Sequence, residues 1–209
     1  MQNPGEIGRQ NEELRDSRAQ TYDIRFGFTR GGQRKLLSLI PLGQNPSVLD
    51  LACGTGYALR EAANRTSGQG QFYGVDNSSK MVEMAQIKSK SYPNLHFLKS
   101  RVEELPFDNN FFDVIMSSNA FHHFSNPEKT VKEARRVLKP HGRLYISDIA
   151  ANNAFMRISD KFSGRLEPAR VEFYSRKEFQ AFFEKAELRY VGSVRSDVIP
   201  PIEVHIAEK

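Results

Sequence analysis

From residue 47 onward, short apolar runs alternate with segments of helical period, and turn residues separate them. That is the βα rhythm of a parallel sheet. Five runs rich in β-branched and aromatic residues read as strands: Ser47–Cys53, Gln71–Asp76, Asn94–Leu98, Phe112–Ser117 and Arg143–Asp148, each bounded by Gly, Pro, Asn or Asp. Gly56–Asn64, Ser79–Ser89 and Pro127–Leu138 read as the helices between them. The last has Asn126 as N-cap, Pro127 at its first helical position and Pro140 just beyond its end. Strands in series with helices between them predict an α/β fold with a doubly wound sheet.

The two ends of the chain differ from this middle. Helices are expected near Glu12–Tyr22 and Gln33–Ile40, and neither completes a core alone. Residues 151–174 show no clear period. Ser175–Ala186 reads as a helix with Ser175 as cap and Glu178 as its capping-box partner, and with Phe179, Phe182, Phe183 and Ala186 as a core-facing stripe. Leu188–Arg195 and Ile202–Ala207, separated by Asp197–Pro201, suggest an antiparallel pair closing the sheet edge. The expected division is a helical cap over 1–45, a ligand-binding core over 46–150, a second cap over 151–174 and a closing unit over 175–209.

Composition narrows the function classes. At 209 residues, with 39% hydrophobic and 26% charged content, the chain suffices for one domain. No run of apolar residues is long enough for a membrane span. The first residues lack an apolar core followed by a small-residue cleavage site, so the cytoplasm is the expected compartment. The single cysteine, Cys53, excludes a disulfide framework and a cysteine-cluster zinc site, and the adjacent His122 and His123 are poorly arranged to share an ion, so no metal is expected. The net charge of +5 is spread as +2, +2 and +1 over residues 1–46, 47–150 and 151–209. Even spreading favours a solvated surface over a phosphate-tracking one, and nucleic acid is not the expected partner.

The stretch Val48-Leu49-Asp50-Leu51-Ala52-Cys53-Gly54-Thr55-Gly56-Tyr57 carries the most chemistry. A buried strand runs into a glycine turn and then a helix, whose first N–H groups and positive dipole end attract a polar or anionic group. A dinucleotide motif would need a third glycine where Leu59 stands, and ordinary glycine turns share the Gly54-x-Gly56 pair. The next strand ends at Asp76, 20 residues past Gly56, where a carboxylate can accept from both hydroxyls of a ribose. A nucleoside ligand follows from that placement. The competing account, a helix cap, suits Asn77 and Ser78 better than Asp76.

With VLDLACGTG, YGVDNSSKM, VEELPFDNNFFDVI, AFHHFSNP and EARRVLKPHGRLYISD in this order, the sequence resembles the class I S-adenosylmethionine-dependent methyltransferases, in particular the small-molecule group of the ubiquinone/menaquinone type. The resemblance covers residues 45–150 most closely and extends through Phe173-Tyr174-Ser175. It implies a Rossmann-like, mostly parallel seven-stranded sheet with helices on both faces and an antiparallel last strand. It also implies S-adenosyl-L-methionine as cofactor, S-adenosyl-L-homocysteine as product and a small-molecule acceptor. Carried onto this chain, Gly54 and Gly56, with Ala52 and Cys53 in the same turn, would lie against the methionine and ribose parts. Asp76 would hold the ribose hydroxyls, Asn77 and Met81 would flank the adenine, and Val102 and Glu103 would border it. Asp50 would orient the glycine loop, and Ser117, Ser118 and Asn119 would lie beside the reactive methyl.

Three positions depart from the family pattern. Ala52 stands where the first glycine is common, a small change if φ is negative there. Arg101 stands where an acidic residue usually accepts from the adenine amino group, which Arg cannot do, so that group pairs elsewhere or affinity falls. His141 replaces a glycine in a structural turn.

Methyl transfer from a sulfonium asks the protein chiefly for alignment, worth on the order of 7–11 kcal/mol. Tyr22, Tyr57 and Phe121 are candidate aromatic faces for the positive sulfur, at roughly 0.5–2 kcal/mol, with core packing as the alternative. An acceptor that must lose a proton needs a base, for which His122, His123, Asp148 and Tyr174 are the candidates, with capping or packing as the other account of the histidines. Residues 6–30 and 151–174 are the material for a movable lid, with Phe155, Met156, Phe162 and Tyr174 as its apolar wall. RNA methylation, a nicotinamide oxidoreductase and cofactor binding without turnover are the rival functions, and a monomer or homodimer is the expected state.

Overall fold

The computed structural model describes Glu13, Asp16 and residues 30–150, 172–196 and 201–209. After helix α1 (Arg30–Ser38) come β1 (Ser47–Leu51), α2 (Tyr57–Arg65), β2 (Gln71–Asp76), α3 (Ser79–Lys88) and β3 (Leu95–Lys99). Then follow β4 (Phe112–Ser118), a 3-10 turn (Phe121–His123), α4 (Pro127–Val137), β5 (Leu138–Ile149), α5 (Arg176–Lys185), β6 (Arg189–Arg195) and β7 (Ile202–Glu208). The seven strands form one sheet in the order β3-β2-β1-β4-β5-β7-β6. β1 to β5 are parallel, and β7 runs antiparallel to both β5 and β6. This is the doubly wound α/β sheet with an antiparallel end that the sequence predicts.

Apolar positions alternate between two cores. Val48, Phe72, Met116, Tyr145 and Val204 pack with Leu36, Leu37, Leu59 and Ala62 on one side. On the other side Leu49, Ile115, Leu144 and Ile146 pack with Val131, Ala134, Phe179 and Phe183. Leu59, in the position a dinucleotide motif gives to glycine, is fully buried core.

Local signals placed the starts of α4 and α5 correctly, whereas the helix expected at Gln33–Ile40 runs from Arg30 to Ser38. Asn126 accepts from the Lys129 amide at 2.9 Å, with Pro127 next in the chain. Ser175 and Glu178 close the capping box, each accepting from the other's backbone. Two departures are informative. β5 begins at Leu138, directly after α4, five residues before the expected Arg143. The ladder with β4 breaks between Phe112 and Val114 to absorb the Pro140-His141 turn, where His141 has φ of 64°. Ala52 has φ of 62°, so the condition under which it replaces glycine at little cost is not met.

Of the expected helix Glu12–Tyr22, Glu13 and Asp16 are described, and both are helical. Asp16 accepts from the Ser78 hydroxyl at 2.5 Å, at the start of α3. Tyr22, Phe155, Met156, Phe162, most of both proposed lids and Asp197–Pro200 lie outside the described residues. No helix among the described residues is long and apolar enough to cross a membrane.

Candidate active site

The strand order reverses between β1 and β4, opening a crevice at their carboxyl ends, where doubly wound sheets bind ligands. The chemistry-bearing residues converge on this rim. Ala52–Gly56 follow β1, Asp76 ends β2, Arg101–Glu103 follow β3, Ser117–Asn119 end β4 and Asp148 lies near the end of β5.

The glycine turn is held from β2. Gly54 N–H donates to Asp76 Oδ2 at 2.9 Å, and Ser78 N–H donates to Oδ1 at 3.0 Å. A carboxylate at this place on the rim is the kind of acceptor that ribose hydroxyls require. Gly54 and Gly56 have φ of 53° and 76°, and a Cβ on Gly56 would lie 2.7 Å from the Phe97 ring. The turn is therefore pressed onto the sheet with no room for a side chain.

Asp50 sits beneath the same turn. Asp50 and Asp76 are each 3% exposed. Burial and the neighbouring Asp76 charge push the Asp50 carboxyl well above the usual carboxylate range. The carboxylate that the Gly54 amide meets is Asp76, not Asp50, and Arg60 Nη1 holds the turn from the other side by donating to Thr55 O at 2.7 Å. Burial and the same two carboxylates raise the Cys53 thiol. A buried acidic pair of this kind is completed by a cationic ligand rich in donors, and S-adenosylmethionine, with its sulfonium, ammonium and ribose hydroxyls, fits it.

The adenine side carries the Arg101 departure. Its guanidinium is half exposed and turns to the buried Glu103 carboxylate at 3.5 Å, which also accepts from Ser125 Oγ at 2.5 Å. Glu103, two residues along, is the buried carboxylate on this side, engaged by Arg101 and Ser125. Met81 is fully buried and its amide donates to Ser78 Oγ, while Val102 is buried and Asn77 half-buried. At the β4 end, Ser117 Oγ is committed to Leu51 O at 3.2 Å, and Asn119 adopts φ of 52° with its amide donating to Ser147 O at 2.8 Å.

Two of the four base candidates meet. His122 Nδ1 lies 2.6 Å from Asp148 Oδ1, and His122 N–H donates to Asp148 Oδ2 at 2.9 Å. Clamped at ring and backbone, with Nδ1–H directed to the carboxylate, the imidazole keeps Nε2 as its acceptor. The His123 ring lies beside it, tilted by 51° with centroids 4.1 Å apart. Tyr174 instead joins an aromatic cluster with Phe121, Phe179 and Phe182, and Phe121 is core as well. Tyr57 has Arg30 5.0 Å above its ring and accepts from Arg34 Nε at 3.1 Å. The pairings of Ser125 with Glu103 and of Arg30 and Arg34 with Tyr57 were not legible in the sequence, because elements distant along the chain make them.

A cavity of about 510 Å³ opens at the opposite, amino ends of the strands, lined by Pro41, Asn45, Asp113, Lys139 and Arg143. Its cations are already paired, Lys139 with Asp113 and Arg143 with Glu208, and its lining includes none of the residues expected to hold the cofactor or act as base. Among the described residues, no three His, Cys, Asp or Glu side chains are grouped to hold a metal ion.

Comparison with known proteins agrees with this geometry. The chain is 34% identical over 159 residues to a demethylmenaquinone methyltransferase of Thermotoga maritima, covering 73% of this chain and 65% of that protein. It is 34% identical over 149 residues to the uncharacterized methyltransferase YcgJ of Bacillus subtilis, covering 68% and 57%. The chain thus spans less than two thirds of the length of these relatives. The crystal structure of a SAM-dependent methyltransferase from Aquifex aeolicus superposes with a TM-score of 0.68 at 25% identity, covering 100% of this chain and 99% of that one. Since residues 42–187 match a family model described as a methyltransferase domain, and the crevice carries that family's motifs, the chain belongs to this methyltransferase family.

Proposed function

We propose that this chain transfers the methyl group of S-adenosyl-L-methionine to a small-molecule acceptor, with His122 as general base and Asp148 as the group that positions it. The observation that carries the reading is the joining of the Ala52–Gly56 turn to Asp76 through the Gly54 amide, above the buried Asp50 carboxyl. Asp76 takes the ribose hydroxyls. Asn77, Met81, Val102 and Glu103 border the adenine, and Ala52, Cys53, Gly54 and Gly56 receive the amino-acid tail and ribose. Ser117, Ser118 and Asn119 flank the transferred methyl. When bound, the cofactor supplies a methyl group on a sulfonium whose thioether is a good leaving group.

The protein's part is alignment and proton handling. Strand ends held by the sheet fix the cofactor side of the crevice, and orientation of this kind contributes roughly 7–11 kcal/mol. His122 Nε2 accepts the acceptor's proton, and Asp148 stabilises the imidazolium that results. The acceptor side of the crevice lies where Asp16 bonds Ser78 and where Glu172 N–H donates to His122 O at 2.9 Å. A cytoplasmic location and a monomer or homodimer as working unit are proposals of the same kind.

The test is incubation with methyl-labelled cofactor and metabolite extracts, read by mass spectrometry, with demethylmenaquinone as the first defined acceptor because of the Thermotoga relative's name. Label in a low-mass product is expected. Label confined to RNA, or binding with no labelled product, would replace this reading with one of its rivals.

A further inference from the structure

The reading of His122 as base, on which this inference rests, leaves a second buried carboxylate unused. Glu203 on β7 stands directly opposite Asp148 on β5 in the antiparallel register, so the two side chains leave the sheet on one face. They are 1% and 3% exposed. Two carboxylates so placed repel each other, and more strongly away from water.

Each carboxylate has its own partner. Asp148 faces His122. Glu203 Oε1 accepts from Arg176 at the start of α5, with Nε at 2.7 Å and Nη2 at 2.6 Å, and from the Ser193 hydroxyl on β6. His205 lies on the same face, opposite Ile146, with its ring stacked 3.9 Å from Phe179. Burial pushes its pKa down to about 4, so it is neutral near pH 7 and adds no charge. The other titratable groups near the His122 ring are His123 beside it, Glu172, whose amide bonds the His122 carbonyl, and Tyr174 in the aromatic cluster.

We propose that Glu203 and Arg176 are positioning residues that balance charge behind the His122–Asp148 pair and set how readily that pair takes up a proton, touching neither acceptor nor cofactor. The sign follows from charge. Loss of the Glu203 charge leaves Arg176 unopposed and disfavours protonated His122. Loss of the Arg176 charge leaves Glu203 unopposed and favours it. Arg176 is 54% exposed, so solvent screens its effect and its removal produces the smaller shift.

The experiment is an NMR titration of the His122 ring in the full chain carrying ¹³C-labelled histidine, assigned by the peak lost in His122→Gln. Glu203→Gln should lower the midpoint by about half a pH unit or more, Arg176→Gln should raise it, and Arg176→Lys should return it to the wild-type value. Shifts in opposite directions support the proposal, since simple loosening moves both variants alike. Absent shifts, or shifts of one sign, overturn it. If Glu203→Gln does not fold, Arg176→Gln at the half-exposed helix start decides alone. The pH–rate profile for methyl transfer tests the base itself: midpoints that move in the titration while the rate profile stays put retire His122 as base and leave the charge coupling standing.

Discussion

The amide of Gly54 donates to the carboxylate of Asp76 across 2.9 Å, so the turn after the first strand and the end of the second are one rigid unit. A ligand that bonds Asp76 meets a turn already in place, and the ordering cost of assembling that corner is borne by folding and not by binding.

Asp76→Ala removes both proposed ribose hydrogen bonds together with the tie on Gly54. Affinity for S-adenosylhomocysteine should fall at least about tenfold, roughly 1.4 kcal/mol, by isothermal calorimetry. An unchanged dissociation constant would remove Asp76 from the nucleoside site.

His122→Gln keeps a polar side chain in the turn and deletes the base. For an acceptor that must lose a proton, kcat should fall by about 10²–10⁴, while cofactor affinity measured by calorimetry stays within about twofold. Asp148→Asn should lower kcat as well, because an amide carries no charge to stabilise the imidazolium and cannot accept from both the ring and the backbone N–H of His122. Full activity in His122→Gln would assign proton removal elsewhere.

Ala52 pays for a left-handed backbone that glycine adopts freely. Against the greater flexibility of glycine in the unfolded chain, Ala52→Gly should still stabilise by about 0.5–1 kcal/mol and raise Tm by about 1–3 °C in differential scanning calorimetry. A lower Tm would show that the Ala52 methyl packs to more advantage than the backbone conformation costs.

His205 titrates at about 4 in the folded protein and near 6.5 when unfolded, because burial disfavours its charged form. Below pH 6.5 the unfolded chain binds a proton that the folded chain refuses, so this contribution to stability is intact above that pH. It is lost as pH falls toward 4, by about 3 kcal/mol at most. Urea unfolding from pH 7 to pH 4 should show a shallower loss in His205→Gln than in wild type. Parallel curves would mean that His205 accepts its proton without cost.

Much of the fold was legible because its signals are local. Gln71–Asp76 is a strand with the expected bounds, and Ser175 with Glu178 marks the start of α5, since neither needs a distant partner to declare itself. The glycine turn and Asp76 were likewise readable from type and spacing. The onset of β5 was not, because Leu138 becomes strand by pairing with Phe112 across a break in register that only the assembled sheet contains.

The sequence by itself determined the alternating elements, the glycine turn and the acidic strand end, because hydrophobic period, caps and backbone freedom act over a few residues. Tertiary structure alone decided that Ala52 is left-handed, that His122 is the histidine joined to Asp148, and that Glu203 lies across from that carboxylate. The last of these joins residues tens of positions apart through the register of β5 and β7. A chain's local preferences carry no record of register until the strands have paired.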